Sequence, residues 1–255
     1  MFNKYNNPYD LDTSESTLFA REIILRKRFL KRLYREWYGW FIGRAKDCGE
    51  GIYLEIGSGG GFLKDLFPQT VTSDVLNLPF VDMVCSAEKL PFADNSLACI
   101  MMLNVFHHIP RPYLFLDEAQ RCLIQGGKVL MIEPANSCWG RLIYTRFHHE
   151  SFDPKAGWEI NQGNPVSNSN QALPYIYFER DKNYFNDRFP KLRLNEIQYH
   201  TPVLYLASGG LSRKAMLPYS MYGIVKFIER ILSPFNKHLG MFCSIDIEKL
   251  NVDKK

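Results

Sequence analysis

A chain of 255 residues, 46% of them apolar, can bury a full core as one elaborated α/β domain or two small ones. The net charge of +4 at pH 7 is too mild to imply nucleic acid by itself, and no uninterrupted apolar run reaches the ~18 residues of a membrane span. The six cysteines are scattered without a CxxC pair, which excludes a zinc ribbon or dithiol motif of that spacing and points to a reducing compartment.

Residues 1–16 are polar and Asn-rich, with no apolar stretch of the kind a secretory signal needs, and read as a lead-in. From Thr17 to Lys46 the residues Phe19, Ile23, Leu30, Leu33, Trp37 and Phe41 recur at helical steps. The pattern predicts one long amphipathic helix or two, broken near Gly39. Between Arg21 and Lys46 stand nine basic residues against two acidic ones, Glu22 and Glu36. The positive charge therefore belongs to this element, and the rest of the chain is slightly acidic. Residues 1–48 form an N-terminal helical extension to a unit spanning 49–255.

In that unit short apolar strands alternate with helices. Strands are predicted at Ile52–Ile56, Thr70–Val75, Val81–Cys85, Leu97–Leu103, Lys128–Glu133, Leu192–Val203 and Met241–Ile247. Helices are predicted from Phe62 to Phe67, Pro112 to Leu123, Phe178 to Phe189 and Tyr222 to Leu232. The expected class is α/β: a Rossmann-like, mostly parallel seven-stranded sheet with helices on both faces. Residues 136–178, rich in Asn, Ser, Pro and aromatics, read as a lid or substrate wall, and 203–238 as a second insertion.

The segment Glu55-Ile56-Gly57-Ser58-Gly59-Gly60-Gly61 follows a strand and precedes a helix. Glycine lets the backbone turn through positive φ and approach a ligand closely, and the helix start offers free N–H groups. A dinucleotide fingerprint would need glycine at position 62, where Phe62 stands. A carboxylate at Glu55 would repel a pyrophosphate but is compatible with a sulfonium cofactor. Asp74, nineteen residues after Glu55, ends the second strand, where an acidic side chain can accept hydrogen bonds from both ribose hydroxyls.

The ExGxGxG spacing resembles motif I of the class I S-adenosylmethionine-dependent methyltransferases, in their type 11-like branch. Ser86-Ala87-Glu88-Lys89-Leu90-Pro91-Phe92 resembles that family's DAxxLPF segment, with Ser86 where the family has Asp. Leu103-Asn104-Val105-Phe106-His107-His108-Ile109 resembles the stretch after strand four, and Ile132-Glu133-Pro134 the end of strand five. The resemblance covers about residues 51–134. It implies S-adenosyl-L-methionine as cofactor, with Glu55 at the methionine ammonium and Gly57, Ser58, Gly59 and Gly61 beneath ribose and methionine. It further implies Asp74 and Val75 at the ribose, Ser86, Ala87 and Glu88 at the adenine, and Asn104 and His107 closing over the methionine end.

Methyl transfer from a sulfonium is an in-line displacement from an activated donor, so orientation supplies much of the rate, roughly 7–11 kcal/mol in well-placed cases. A hydroxyl acceptor also needs a general base. Candidates are His108, His148 and His149, with His107, Glu150 and Asp153 beside them; a polar lid surface is the competing reading. Adjacent histidines point in different directions on a helix, so His148 and His149 chelate poorly and no metal is expected. No (N/D/S)-P-P-(Y/F) segment follows strand four, which argues against methylation of base amino groups. The aromatic lid residues Tyr144, Phe147, Phe152 and Trp158 suit a partly apolar or sugar-like substrate, or pack as core under loops.

The expected function is a cytoplasmic methyltransferase acting at oxygen or carbon of a small-molecule, lipid or glycan acceptor. The alternatives are an NAD(P)-dependent oxidoreductase or epimerase, and a non-catalytic methyltransferase-like binding subunit. The basic helix 21–46 reads as a solvated face, as a peripheral contact with an anionic membrane or phosphorylated carrier, or as an RNA contact; nucleic acid is the reading least expected.

Overall fold

The computed structural model describes residues 7–160 and 167–251; parts of the lead-in (1–6) and of the lid (161–166) lie outside them. Helices α1 (Ser14–Arg26) and α2 (Arg28–Ala45) open the fold. They are followed by β1 (Ile52–Ile56), α3 (Leu63–Leu66), β2 (Thr70–Asp74), β3 (Met83–Val84), β4 (Leu97–Leu103), α4 (Pro112–Cys122), β5 (Leu123–Pro134) and α5 (Cys138–Phe147). Then come α6 (Leu173–Tyr175), α7 (Lys182–Arg188), β6 (Leu192–His200), α8 (Leu204–Ser208), α9 (Tyr222–Leu232), α10 (Asn236–Leu239) and β7 (Phe242–Lys249).

The seven strands make one sheet in the order β3-β2-β1-β4-β5-β7-β6. The first five run parallel, and β7 pairs antiparallel with β5 on one side and β6 on the other. The expected sheet class is therefore present. Strand β4 is buried from Leu97 to Met102, as a central parallel strand covered on both faces must be. One face is covered by α4 and the aromatic segment around Phe178, Phe185 and Phe189. The other is covered by α2, α5, α8 and α9. The buried face of α2, including Leu30, Leu33, Trp37 and Phe41, shares a cluster with Cys99, Met101, Leu130 and Ile132 of the sheet. The N-terminal helices thus complete the core of the unit they precede.

Several predicted boundaries shift. The helical break falls at Lys27, whose backbone is extended (φ −80°, ψ 92°), while Gly39 continues α2. The Lys27 ammonium is buried against the carbonyls of Gly210 and Arg213, and the chain bends to deliver it there. Strand β5 begins at Leu123 rather than Lys128, because an irregularity pairs Leu97 with Leu123 and then Cys99 with Lys128. The glycine turn at Gly126 (φ 74°) sits inside that strand. The helix expected over Phe178–Phe189 divides into a wide π-type turn, Ile176–Arg180, and α7. Strand three contracts to Met83–Val84, strand six ends at His200, and the last strand runs to Lys249.

Candidate active site

The strand order reverses between β1 and β4, and an open α/β sheet leaves a crevice at the carboxyl ends of such a pair. Both strands end there in sequence that can line it. After β1 the chain turns through Gly57 (φ 63°) and Gly59 (φ 48°). A Cβ at Gly57 would lie 2.6 Å from Val105 Cγ2, and one at Gly60 would lie 2.8 Å from the backbone nitrogen of Arg21 in α1. The bare loop is what lets the β4 connection and α1 close over it. Arg21 also donates to the Gly61 carbonyl and lies 4.1 Å over the Phe80 ring, and Tyr38 of α2 accepts from Phe62 N–H at 3.2 Å.

Two carboxylates brace the loop. Glu55 is 3% exposed and accepts from Ser58 Oγ at 2.9 Å. Burial pushes its pKa up to about 8; the Ser58 bond opposes the shift and the Asp74 charge adds to it. Asp74 accepts from Gly59 N–H at 2.8 Å and Leu76 N–H at 3.0 Å. Burial raises its pKa, opposed by those backbone donors.

After β4, Asn104 adopts a left-handed conformation (φ 56°). Its Oδ1 is buried with no hydrogen-bond partner among the described residues. The next turn, Phe106–His108, is organised by Glu133 at the end of β5. One oxygen of Glu133 accepts from Val105 and Phe106 N–H, each at 2.8 Å. The other lies 2.6 Å from His107 Nδ1. His107 Nε2 faces Glu150 Oε2 at 3.4 Å, and His108 Nε2 stands 4.0 Å from Glu150 Oε1. Burial would lower the His107 pKa, but the charge and hydrogen bond of Glu133, with Glu150 behind them, raise it to about 9. His107 is thus an imidazolium between two carboxylates. Burial and that neighbouring charge push His108 down to about 4, so it is neutral at pH 7. Burial would raise the Glu150 carboxyl, but His107, His108 and His148 outweigh it and hold it well below the usual carboxylate range.

Gln171 fixes the remaining histidine. Its amide nitrogen donates to Glu150 Oε2 at 2.6 Å and lies 2.7 Å from His148 Nδ1. Glu150 N–H also points at His148 Nδ1, at 3.3 Å. With two donors on Nδ1, the neutral His148 ring carries its proton on Nε2. The His149 side chain is 59% exposed.

A cavity of about 360 Å³ unites these parts, within the range of small-molecule sites. Of the sequence-predicted residues, Glu55, Gly57, Ser58, Gly59, Gly61, Asn104, His107, His108, His148 and His149 line it. Asp74, Val75, Ser86, Ala87 and Glu88 are not among its lining residues. Val75 is 46% exposed, Ser86 accepts from Glu88 N–H at 3.2 Å, and Glu88 is engaged by Arg111 at 2.7 Å. Missed from the sequence were the cavity-lining α1 residues Phe19, Ala20, Ile23 and Ile24, with Tyr38 and Gln171, and the organising role of Glu133. For Glu133 the signal was present, a charged residue straight after the apolar run Val129–Ile132. The ligand-capable atoms of His107, His108 and Glu150 lie within 4.8 Å of one another, so among the described residues these three, with Glu133 behind His107, could accept a divalent cation.

A parallel sheet closed by an antiparallel β7, with a glycine loop after β1 over the strand switch, is the fold of the class I S-adenosylmethionine-dependent methyltransferases. Residues 54–131 match the family described as methyltransferase domain, and that segment is what the chain shares with the family. Its structure is similar to geranyl diphosphate C-methyltransferase from Streptomyces coelicolor A3(2), crystallised with Mg2+, geranyl diphosphate and S-adenosyl-L-homocysteine: TM-score 0.55, 11% identity, 98% of this chain and 92% of that one. It is also similar to a geranyl diphosphate methyltransferase in complex with SAM: TM-score 0.51, 12% identity, 91% of each chain. At these identities the likeness is one of fold. No curated protein matches the sequence.

Proposed function

We propose that the protein transfers a methyl group from S-adenosyl-L-methionine to a neutral hydroxyl-bearing acceptor of small-molecule, lipid or glycan kind, in the cytoplasm. The observation supporting this is that one cavity is lined both by the glycine loop with Glu55 and Asn104 and by the His107–His108–Glu150 cluster. Glu55 and the unpartnered Asn104 Oδ1 take the methionine ammonium, with Gly57, Ser58, Gly59 and Gly61 beneath the cofactor. Asp74 and Val75 serve the ribose, and Ser86, Ala87 and Glu88 the adenine, outside the cavity described above. His107, an imidazolium held by Glu133, keeps Glu150 ionised. The ionised Glu150 disfavours an anionic acceptor. His108, neutral and beside that carboxylate, receives the acceptor proton, and Glu150 stabilises the imidazolium that forms. His148, with its proton on Nε2, donates to the acceptor, and the exposed His149 lies at the margin.

The test uses isotope-labelled methyl donor with a panel of hydroxyl-bearing lipids, glycolipids and phenols, and mass spectrometry of the products. Label on oxygen supports the reading. Label on carbon keeps the enzyme class but removes the role given to His108, and label on nitrogen alone, or on none, overturns the proposal. With the acceptor found, His108→Ala lowers kcat by roughly 10²–10⁴-fold and leaves S-adenosylhomocysteine affinity unchanged.

A further inference from the structure

Helix α9 shows water the side that a helix in a water-soluble domain normally buries. Ile224, Phe227, Ile228 and Ile231 are 56%, 63%, 43% and 60% exposed, and Phe235 just beyond the helix is 59% exposed. Steps of three and four residues put the four helical positions on one stripe. The opposite side is anchored. Tyr222, Val225 and Glu229 are buried, and one Glu229 oxygen accepts from Val203 N–H at 2.8 Å and Leu204 N–H at 2.7 Å, capping α8. Rotating α9 to hide the stripe would strip α8 of its cap and expose Tyr222 and Val225 instead.

The surface beside the stripe is cationic. Arg28, Lys31, Arg32 and Arg35 of α2 line a shallow basin with Tyr219 and Glu36. Arg28 lies 4.4 Å over the Tyr219 ring and Arg32 4.3 Å over Tyr222, so the basin adjoins the start of α9. Lys226 and Arg230 are exposed on α9 itself, with Lys226 bonded to Glu36 at 2.6 Å.

We propose that this face lies on an anionic lipid bilayer, with the α9 stripe in the interfacial layer and the α2 cations against lipid phosphates. An apolar stripe flanked by Lys and Arg is the pattern of an in-plane helix. Eleven residues make about 16 Å of helix, half of a ~30 Å hydrocarbon core, so α9 lies along the surface. A second copy of the chain is the poorer occupant, because an isologous contact through this face sets cation against cation. The insertion carrying α9 also reaches the cavity, since Tyr205, Leu211 and Ser212 line it. Docking here brings the cavity beside the lipid phase. The inference stands on the stripe and the basin, independently of methyl transfer.

The experiment is co-sedimentation of the full chain with vesicles of phosphatidylcholine alone or with one third phosphatidylglycerol, at low and high salt. The anionic vesicles bind it, and high salt weakens binding by roughly tenfold or more, as a multi-cation contact requires. The double variant Phe227→Ser with Ile231→Ser loses binding by tenfold or more while Tm and S-adenosylhomocysteine affinity stay unchanged. Arg28→Glu with Arg35→Glu removes the preference for anionic lipid. Equal binding to neutral vesicles, no loss in the serine variant, or a dimer that this variant turns into a monomer would each overturn the proposal.

Discussion

Glu55→Gln removes a carboxyl that is almost wholly buried beneath the glycine loop, in contact with Ser58. Burial raises its folded pKa to about 8 from an ordinary 4.5. A raised acid pKa means that the folded protein keeps a proton which the unfolded chain has released. The stability from burying the neutral acid is complete below pH 4.5 and is lost as pH rises toward 8. The slope is about 1.4 kcal/mol per pH unit for one proton. Between pH 6 and 7.5 the wild type therefore loses about 2 kcal/mol relative to the glutamine variant, which urea unfolding at the two pH values measures. A second readout concerns the cofactor. At pH 7 a group of pKa 8 is about nine-tenths protonated, and pairing with the methionine ammonium requires it ionised. Binding of S-adenosylhomocysteine releases about 0.9 protons in the wild type, and none from this site in the variant. Calorimetry in buffers of different ionisation heat counts them. A stability difference independent of pH, together with no proton release, would refute the reasoning and show Glu55 already ionised in the free protein.

Gly60→Ala places a methyl 2.8 Å from the Arg21 nitrogen and 3.0 Å from its Cα, and backbone cannot step aside as a side chain can. The expected result is a loss of about 1–3 kcal/mol, faster protease cleavage within α1 and weaker S-adenosylhomocysteine binding. Glu133→Gln keeps an acceptor for Val105 and Phe106 but removes the charge facing His107. Its expected cost is about 3 kcal/mol in chemical denaturation near pH 6, and the His107 ring titrates well below pH 9 by NMR. Dialysis against a chelator is expected to leave turnover intact, since methyl transfer here is assigned to oriented binding and proton removal. Turnover lost on dialysis and restored by one divalent ion would instead assign His107, His108 and Glu150 to a metal.

The sheet was readable because β1 and β4 are apolar runs and the glycine loop stands between a strand and a helix. The arrangement of the site histidines around Glu150 was not. His107 and His108 meet Glu150 and Gln171 only because the chain returns after β5 to the end of β4, and no local period encodes that return. His148 reads as a candidate base because it follows strand five within the proposed lid. Its tautomer depends on Gln171, a residue with no motif around it. Over Tyr222–Leu232 the sequence predicts a helix but not which side of it faces water, since that depends on where Glu229 finds its backbone donors. The π-type turn at Ile176–Arg180 leaves no compositional mark at all.

The strand that follows β6 in the chain is not the outermost in space. Residues 242–249 fill the slot between β5 and β6, holding one neighbour on each side. Until residues 242–249 are in place β5 keeps an unpaired edge and β6 has no neighbour, and such edges invite association with other chains. Deleting that segment would do more than shorten the protein: it would cut the sheet in two and leave β6 with no neighbour.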